Sequence, residues 1–337
     1  MNERDTKIDI FKGLLVLGMI YCHVLQFFCD SEVYPSAGII TSFINIVTFP
    51  GFVFCFGYST RIAYLSRELK EVYLRILNSA FKTLAAFYIS GISFRVFVDG
   101  RPFNFDTAVK VITLSDIPGW SEFLVSFSLF TLLAAVLFRP LKLLLENRLL
   151  FWTVFVLLFF TTLIPYQMIN TPQLGLLVGT TRFASFPVLQ YMPFYLLGMY
   201  FQRHKPGFDL GILAGAIVLT AAAAVNMALH GGELPGRFPP TVFWLFLSML
   251  PLHLYYTASV HLDKVQRVSG YFQPIGRSTL MFLLLSNILI FALDGSGSVT
   301  ALNTLESLLL GVLLISIIAY FVHITGNNRQ PQIFMRR

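Results

Sequence analysis

A histidine, an arginine and a glutamate lie within or at the ends of three separate apolar runs: His23, Arg95 and Glu122. Polar groups held in lipid are costly, which makes each of them a site candidate. An imidazole oriented by a carboxylate can take the proton of a hydroxyl as a general base, because its pKa lies near working pH. A neighbouring arginine would orient an anionic or polyhydroxylated substrate, or neutralise the glutamate. A second set, Lys12, Arg61, Arg75 and Lys82, is wholly basic and suits the phosphates of a donor. The stretch Lys7 to Phe28, KIDIFKGLLVLGMIYCHVLQFF, carries one member of each set. Lys12 and His23 are eleven positions apart, which at helical rise is roughly 16 Å, about half of a hydrocarbon core ~30 Å thick. Simpler readings are open as well. Arg95 and Glu122 are near enough to the outer helix ends to snorkel, and Asp9, three residues before Lys12, offers a local ion pair.

The elements that must position these residues are membrane helices. Of 337 residues, 56% are hydrophobic and 12% charged, against roughly a quarter charged in soluble domains. No polar stretch between the apolar segments is long enough to fold separately, so a single membrane domain over 1–337 is expected. Ten stretches are long and apolar enough to span or nearly span: about 8–28, 38–58, 76–98, 119–138, 149–165, 185–202, 208–229, 240–260, 277–294 and 300–323. The fifth, sixth and ninth are short. The basic start followed by an apolar run has the outline of a signal peptide. The run lacks a small-x-small cleavage site and contains a histidine, so it is read as a permanent helix.

Charge sets the orientation. With a cytoplasmic N-terminus, 18 of the 24 Lys and Arg fall in inner segments. They are Arg4, Lys7 and Lys12; Arg61, Arg67, Lys70 and Arg75; Arg139, Lys142 and Arg148; Arg203 and Lys205; Lys264, Arg267 and Arg277; and Arg329, Arg336 and Arg337. Four fall outside (Arg101, Lys110, Arg182 and Arg237), and Lys82 and Arg95 lie within the third helix. This is the positive-inside pattern, and it predicts an all-α bundle of about ten transmembrane helices with both termini cytoplasmic. The outer connections, among them GGELPGRFPP, are rich in Gly and Pro and suit the rim of an external site.

The remaining polar residues are read more plainly. The inner segment STRIAYLSRELKEVYLR has basic residues at helical spacing, which predicts an amphipathic interfacial helix that binds anionic lipid or a phosphorylated donor. His253 follows Pro251, whose missing N–H leaves a carbonyl free to hold the imidazole. Ser286 and Asn287 read as helix–helix hydrogen-bonders. Cys22, Cys29 and Cys55 have no ligand spacing, and neither metal nor disulfide chemistry is expected.

The motifs resemble those of the acyltransferase-3 family within the transmembrane acyltransferase superfamily. IDIFKGLLVLGMIYCH is similar to its first-helix signature, with Asp9, Lys12, Gly13 and His23 in place. FPGFVFCFGYS resembles the second-helix motif, with Pro50, Phe52, Phe54, Gly57 and Tyr58 matching. PGWSEFLVSFSLF resembles the fourth helix, MPFYLLGMYF the sixth, and PIGRSTLMFLLLS a late helix start. This chain has Phe56 where a small residue is usual, Asn78 where the second Arg of an Arg-x-x-Arg pair is usual, and Ser286 where a histidine is common. The Phe-Gly-Tyr-Ser form also resembles the heparan-glucosaminide acetyltransferase type.

The resemblance implies transfer of an acyl group, acetyl or similar, from cytoplasmic acyl-coenzyme A to a hydroxyl of an extracytoplasmic or lipid-linked glycan. His23 would be the general base with Glu122 and Arg95 beside it, and Lys12, Arg61, Arg75 and Lys82 would hold the donor. No metal or nucleic acid is implied, and the expected location is the cytoplasmic membrane of a bacterium. Two alternatives are a glycan exporter of flippase type, which would also place polar groups inside a helical bundle, and an N-acetyltransferase acting on an amino sugar.

Overall fold

Each predicted apolar stretch contains a helix, and the breaks between helices fall where capping residues, glycine or proline end the pattern. The computed structural model describes residues 5–181, 183–206 and 209–327. Arg4, Arg182, Arg329, Arg336 and Arg337, which enter the charge count, lie outside the described residues. Fifteen α-helices and no strand occur among the described residues. In chain order they are α1 Thr6–Phe28, α2 Pro35–Thr60, α3 Leu69–Phe97, α4 Phe105–Ile112, α5 Glu122–Val136, α6 Phe138–Glu146, α7 Arg148–Phe159, α8 Pro172–Val178, α9 Val188–His204, α10 Leu210–Leu229, α11 Val242–Leu247, α12 Met249–Leu262, α13 Gln266–Arg277, α14 Thr279–Ser296 and α15 Thr304–Asn327.

Among the described residues, length and composition qualify six helical segments to cross a membrane: α1, α2 with its continuation to Leu65, α10, α11 with α12, α14, and α15. A seventh results if α5 and α6, bent by 78°, form one broken span. The other predicted spans are helical but less simply apolar or shorter. Helix α3 carries Lys70, Arg75, Lys82 and Arg95 along its length, and α9 has 17 residues, most of them buried. The expected interfacial helix over STRIAYLSRELKEVYLR is corrected. Arg61–Leu65 prolongs α2 as a π-helical turn and α3 begins at Leu69, so the segment is divided between two helices.

Close helix crossings fix the frame, and motif glycines make them possible. A Cβ on Gly57 of α2 would overlap the Tyr195 carbonyl oxygen of α9, and one on Gly198 of α9 would overlap the Phe54 carbonyl oxygen of α2. The α1–α13 crossing is built the same way, with Gly13 against the Phe272 backbone and Gly276 against the Asp9 carbonyl. Small residues allow such approach where lipid offers no hydrophobic drive for association.

Proline in α2 has a specific complement. Pro50 has no N–H to give the carbonyl of Ile46, and Ser248 Oγ donates to that oxygen at 2.7 Å. The same logic satisfies other buried hydroxyls: Ser126 donates to the Phe186 carbonyl at 2.7 Å and Ser128 to the Ala80 carbonyl at 2.9 Å.

Candidate active site

Two cavities open along α1, one at each end of the Lys12–His23 interval. The larger, about 320 Å³, is lined by Lys12, Lys82 and Arg277, by the hydroxyls of Ser59, Thr60, Ser79, Thr83 and Thr131, and by Phe52, Phe56 and Phe127. Three helices supply its cations because α1, α3 and α13 converge at this end. Lys12 Nζ donates to Ser59 Oγ at 3.0 Å and lies 4.0 Å from Asp9, whose other oxygen faces Arg277 Nε at 3.6 Å. Asp9 is buried and holds two cations at the cavity edge. The Asp9–Lys12 pair expected from spacing is present, and it leaves Lys12 lining the cavity. Phe56, at the position where a small residue is usual, stacks on Phe127 at 4.6 Å and narrows this space.

The second cavity, about 40 Å³, is lined by His23, Cys22, Asn45, Thr48, Arg237 and aromatic rings. It has room for water-sized occupants and not for a sugar. Phe52 belongs to the walls of both cavities. With Phe127, 5.9 Å away between ring centroids, and Phe49, which stacks on Phe127 at 5.3 Å, it forms an aromatic partition between them.

His23 is set by two neighbours from distant segments, Trp120 and Asn287. Trp120 meets the imidazole edge-on at 5.1 Å. Trp120 adopts a positive φ of 67°, a sparsely populated conformation that persists only where its surroundings enforce it. Its carbonyl accepts from Asn287 Nδ2 at 3.0 Å, and that same amide donates to Ser90 Oγ at 3.0 Å. Ser90 and Ser121 share a buried hydrogen bond of 2.7 Å. Asn287 is also a neighbour of His23, while His23 Nδ1 and Asn287 Oδ1 are buried without a hydrogen-bond partner.

Glu122 is buried at the start of α5, and its Oε2 has no hydrogen-bond partner. The cation whose field reaches it is Arg237. The loop before α11 folds inward, closed by Thr241 N donating to the Gly236 carbonyl at 2.9 Å and by the Arg237–Pro240 bridge. This carries the guanidinium among Phe186, Phe238 and Trp244, with centroids at 5.4, 4.5 and 5.8 Å. Its Nε has no partner. Its charge also acts on His23, Cys22 and Tyr191.

The predicted site residues separate accordingly. His23 and Glu122 come under the influence of one guanidinium, that of Arg237. Arg95 instead donates to Asp116 and Asp99 in a network that Arg101 joins at 3.0 Å from Asp116, and it lines neither cavity. Lys12 and Lys82 line the larger cavity; Arg61 and Arg75 do not. Sequence reasoning treated Arg237 and Arg277 as loop charges and Asn287 as a packing residue. The Gly- and Pro-rich character of GGELPGRFPP was the signal for Arg237. Ser286, where a histidine is common, donates only to the Leu283 carbonyl at 3.1 Å. No group of three or more His, Cys, Asp or Glu side chains gathers as a metal site among the described residues.

Comparison with curated proteins finds no match, and neither does comparison with solved structures. A family model described as an acyltransferase domain matches residues 5–324, nearly the whole chain, and the protein therefore belongs to the acyltransferase-3 family.

Proposed function

We propose that the protein is a membrane O-acyltransferase that moves an acyl group from acyl-coenzyme A at the Lys12 end of α1 to a hydroxyl of an extracytoplasmic or lipid-linked glycan at the His23 end. The observation that carries this reading is the pair of cavities on one helix, one basic and one containing an imidazole, divided by Phe52. A volume of about 320 Å³ lies within the range of small-molecule sites. Lys12, Lys82 and Arg277 suit the phosphates of the donor, with Arg61 and Arg75 adding to the basic field outside the cavity.

His23 takes the acceptor proton as the hydroxyl oxygen attacks the thioester carbonyl. The tetrahedral intermediate collapses, the carbon–sulfur bond breaks, and the proton passes to the departing thiolate to give the ester and free coenzyme A. Asn287 spends both amide hydrogens on Ser90 and Trp120, so its Oδ1 is free to accept a ring N–H from His23 and leave the other ring nitrogen as the base. Arg237 supplies positive charge where the oxyanion develops, and Glu122 balances that charge. The acceptor enters by displacing the segment around Arg237, because the His23 cavity is too small to admit it as it stands.

The test is transfer of labelled acyl groups from acyl-coenzyme A to sugar acceptors by purified protein. His23→Ala and His23→Gln are expected to abolish transfer while donor binding and melting temperature stay unchanged. Full transfer by either variant refutes the assignment. Glycan translocation without any acyl donor supports the exporter reading instead.

A further inference from the structure

A third cavity, about 230 Å³, lies away from the other two, between α7, α9, α10 and α12. Its walls are apolar and aromatic: Trp152 and Phe155 of α7, Phe201 of α9, and Gly215 and Leu219 of α10 among them. Helix α10 is long and apolar enough to cross a membrane, and little of it is covered by protein. The cavity is therefore set just behind a helix that faces lipid. Its apolar, aromatic lining suits part of a hydrocarbon chain better than a nucleotide or a sugar.

One polar group is aimed into this apolar space. His253 of α12 is 6% exposed and lines the cavity, and neither of its ring nitrogens has a hydrogen-bond partner. The carbonyl freed by Pro251, expected to hold the imidazole, does not do so. Buried polar groups are hydrogen-bonded as a rule, and each exception calls for an explanation. The other polar members of the wall are Arg148, which is exposed at the start of α7, and Asp209, which caps α10 through Gly211 N and Ile212 N at 2.8 and 3.1 Å. Asp209 acts electrostatically on His253, and Arg148 and Arg203 both act on His204 near the same rim. Cations thus outnumber the single, already engaged carboxylate.

We infer that this cavity is a binding site for one chain of an anionic membrane phospholipid, with the chain against Trp152, Phe155 and Leu219, an ester oxygen within reach of His253, and the headgroup at Arg148. The lipid supplies the acceptor that His253 lacks, and the basic rim selects the charge. The site stands apart from the proposed acyl transfer and does not depend on it.

The experiment uses the full chain, stripped of lipid in detergent and offered phosphatidylglycerol or phosphatidylcholine, with bound lipid quantified by mass spectrometry after washing. Equimolar retention of phosphatidylglycerol, at least roughly tenfold tighter than phosphatidylcholine, is expected. Gly215→Leu fills the cavity from a position where an added Cβ meets nothing within 4 Å, and it should abolish retention without lowering the melting temperature. His253→Phe should weaken retention by roughly tenfold. Equal retention of the two lipids overturns the headgroup assignment, and unchanged retention in Gly215→Leu overturns the site. The preference between lipids in the unmodified protein decides the matter even where a variant does not fold.

Discussion

His23 and Arg237 line the same small cavity, one rising from α1 and the other brought in by the loop before α11. Most of the chain separates them, and the field of that guanidinium also reaches Glu122. Removing it should therefore affect both the reacting centre and the buried carboxylate. Arg237→Met is expected to lower kcat by roughly 10²–10³, the scale of losing one preorganised oxyanion partner, with little change in the KM for donor. Arg237→Lys should restore part of the loss. A rise in KM with kcat unchanged would remove Arg237 from the transition state. In a double-variant cycle with Glu122→Gln the effects should be non-additive, as for groups that interact directly.

Arg95 tests the opposite expectation. Its guanidinium is committed to Asp116 and Asp99, and Arg101 joins the same acids. Arg95→Met should cost about 1 to 2 kcal/mol of stability by leaving the partly buried Asp116 and Asp99 to the more exposed Arg101, read as a lower melting temperature and faster cleavage in the 98–120 connection. Turnover by the folded fraction should match the unmodified protein. A collapse of turnover with unaltered stability would return Arg95 to the active site.

The cavity beside Lys12, proposed to hold the donor, gives a graded series. Lys82→Ala and Arg277→Ala should each weaken coenzyme A binding, and Lys12→Ala should do so as well while removing one of the cations that Asp9 holds. Arg61→Ala and Arg75→Ala, whose side chains lie off the cavity wall, should have smaller effects that fade as salt is raised, because exposed charges act through a screened field. Titration calorimetry with coenzyme A at two ionic strengths distinguishes the two groups. Equal losses across all five would show that only the summed charge matters.

Phe52 separates the two cavities, so its size should govern passage between them. Phe52→Ala removes a fully buried ring and should cost about 3 to 5 kcal/mol, with relative activity shifting toward longer acyl donors. Phe52→Trp should slow turnover while coenzyme A binds as before. If both variants transfer every donor in the same ratio as the unmodified protein, the acyl group takes another route.

The close helix crossings predict a contrast among glycines. Gly57→Ala and Gly198→Ala each force a Cβ onto a facing carbonyl oxygen. Loss of about 3 kcal/mol or more is expected, at the upper end of overpacking effects. Gly215→Ala meets nothing and should gain up to about 1 kcal/mol from helix propensity. Melting followed by size-exclusion chromatography in detergent reports both.

Helix existence was legible because hydropathy in lipid is a local property: a run apolar enough to leave water must also satisfy its own backbone hydrogen bonds, and a helix does this within the segment. The ten stretches and the Lys12–His23 spacing followed from that alone, and Gly13, Gly57 and Gly198 were visible as motif positions. The number of true spans was less legible, since α3 carries charges along its length, α7 is apolar but short, and α9 is short and mostly buried in the protein.

What lies around each polar group was decided elsewhere. Arg95 and Arg237 are both arginines assigned by sequence to the outer end of the bundle, yet Asp116 holds one in a surface network and the turn at Gly236–Thr241 carries the other into the core. His23 and His253 are both helical histidines, and only the folded chain places Trp120 and Asn287 beside the first and an apolar cavity beside the second. Residue type and spacing determined the helices and the family, because those depend on the chain's own periodicity and motifs. The neighbours of His23 come from the segment that leads into α5, from α14 and from the loop before α11, far apart in sequence, and only the packing of those elements brings Trp120, Asn287 and Arg237 to it.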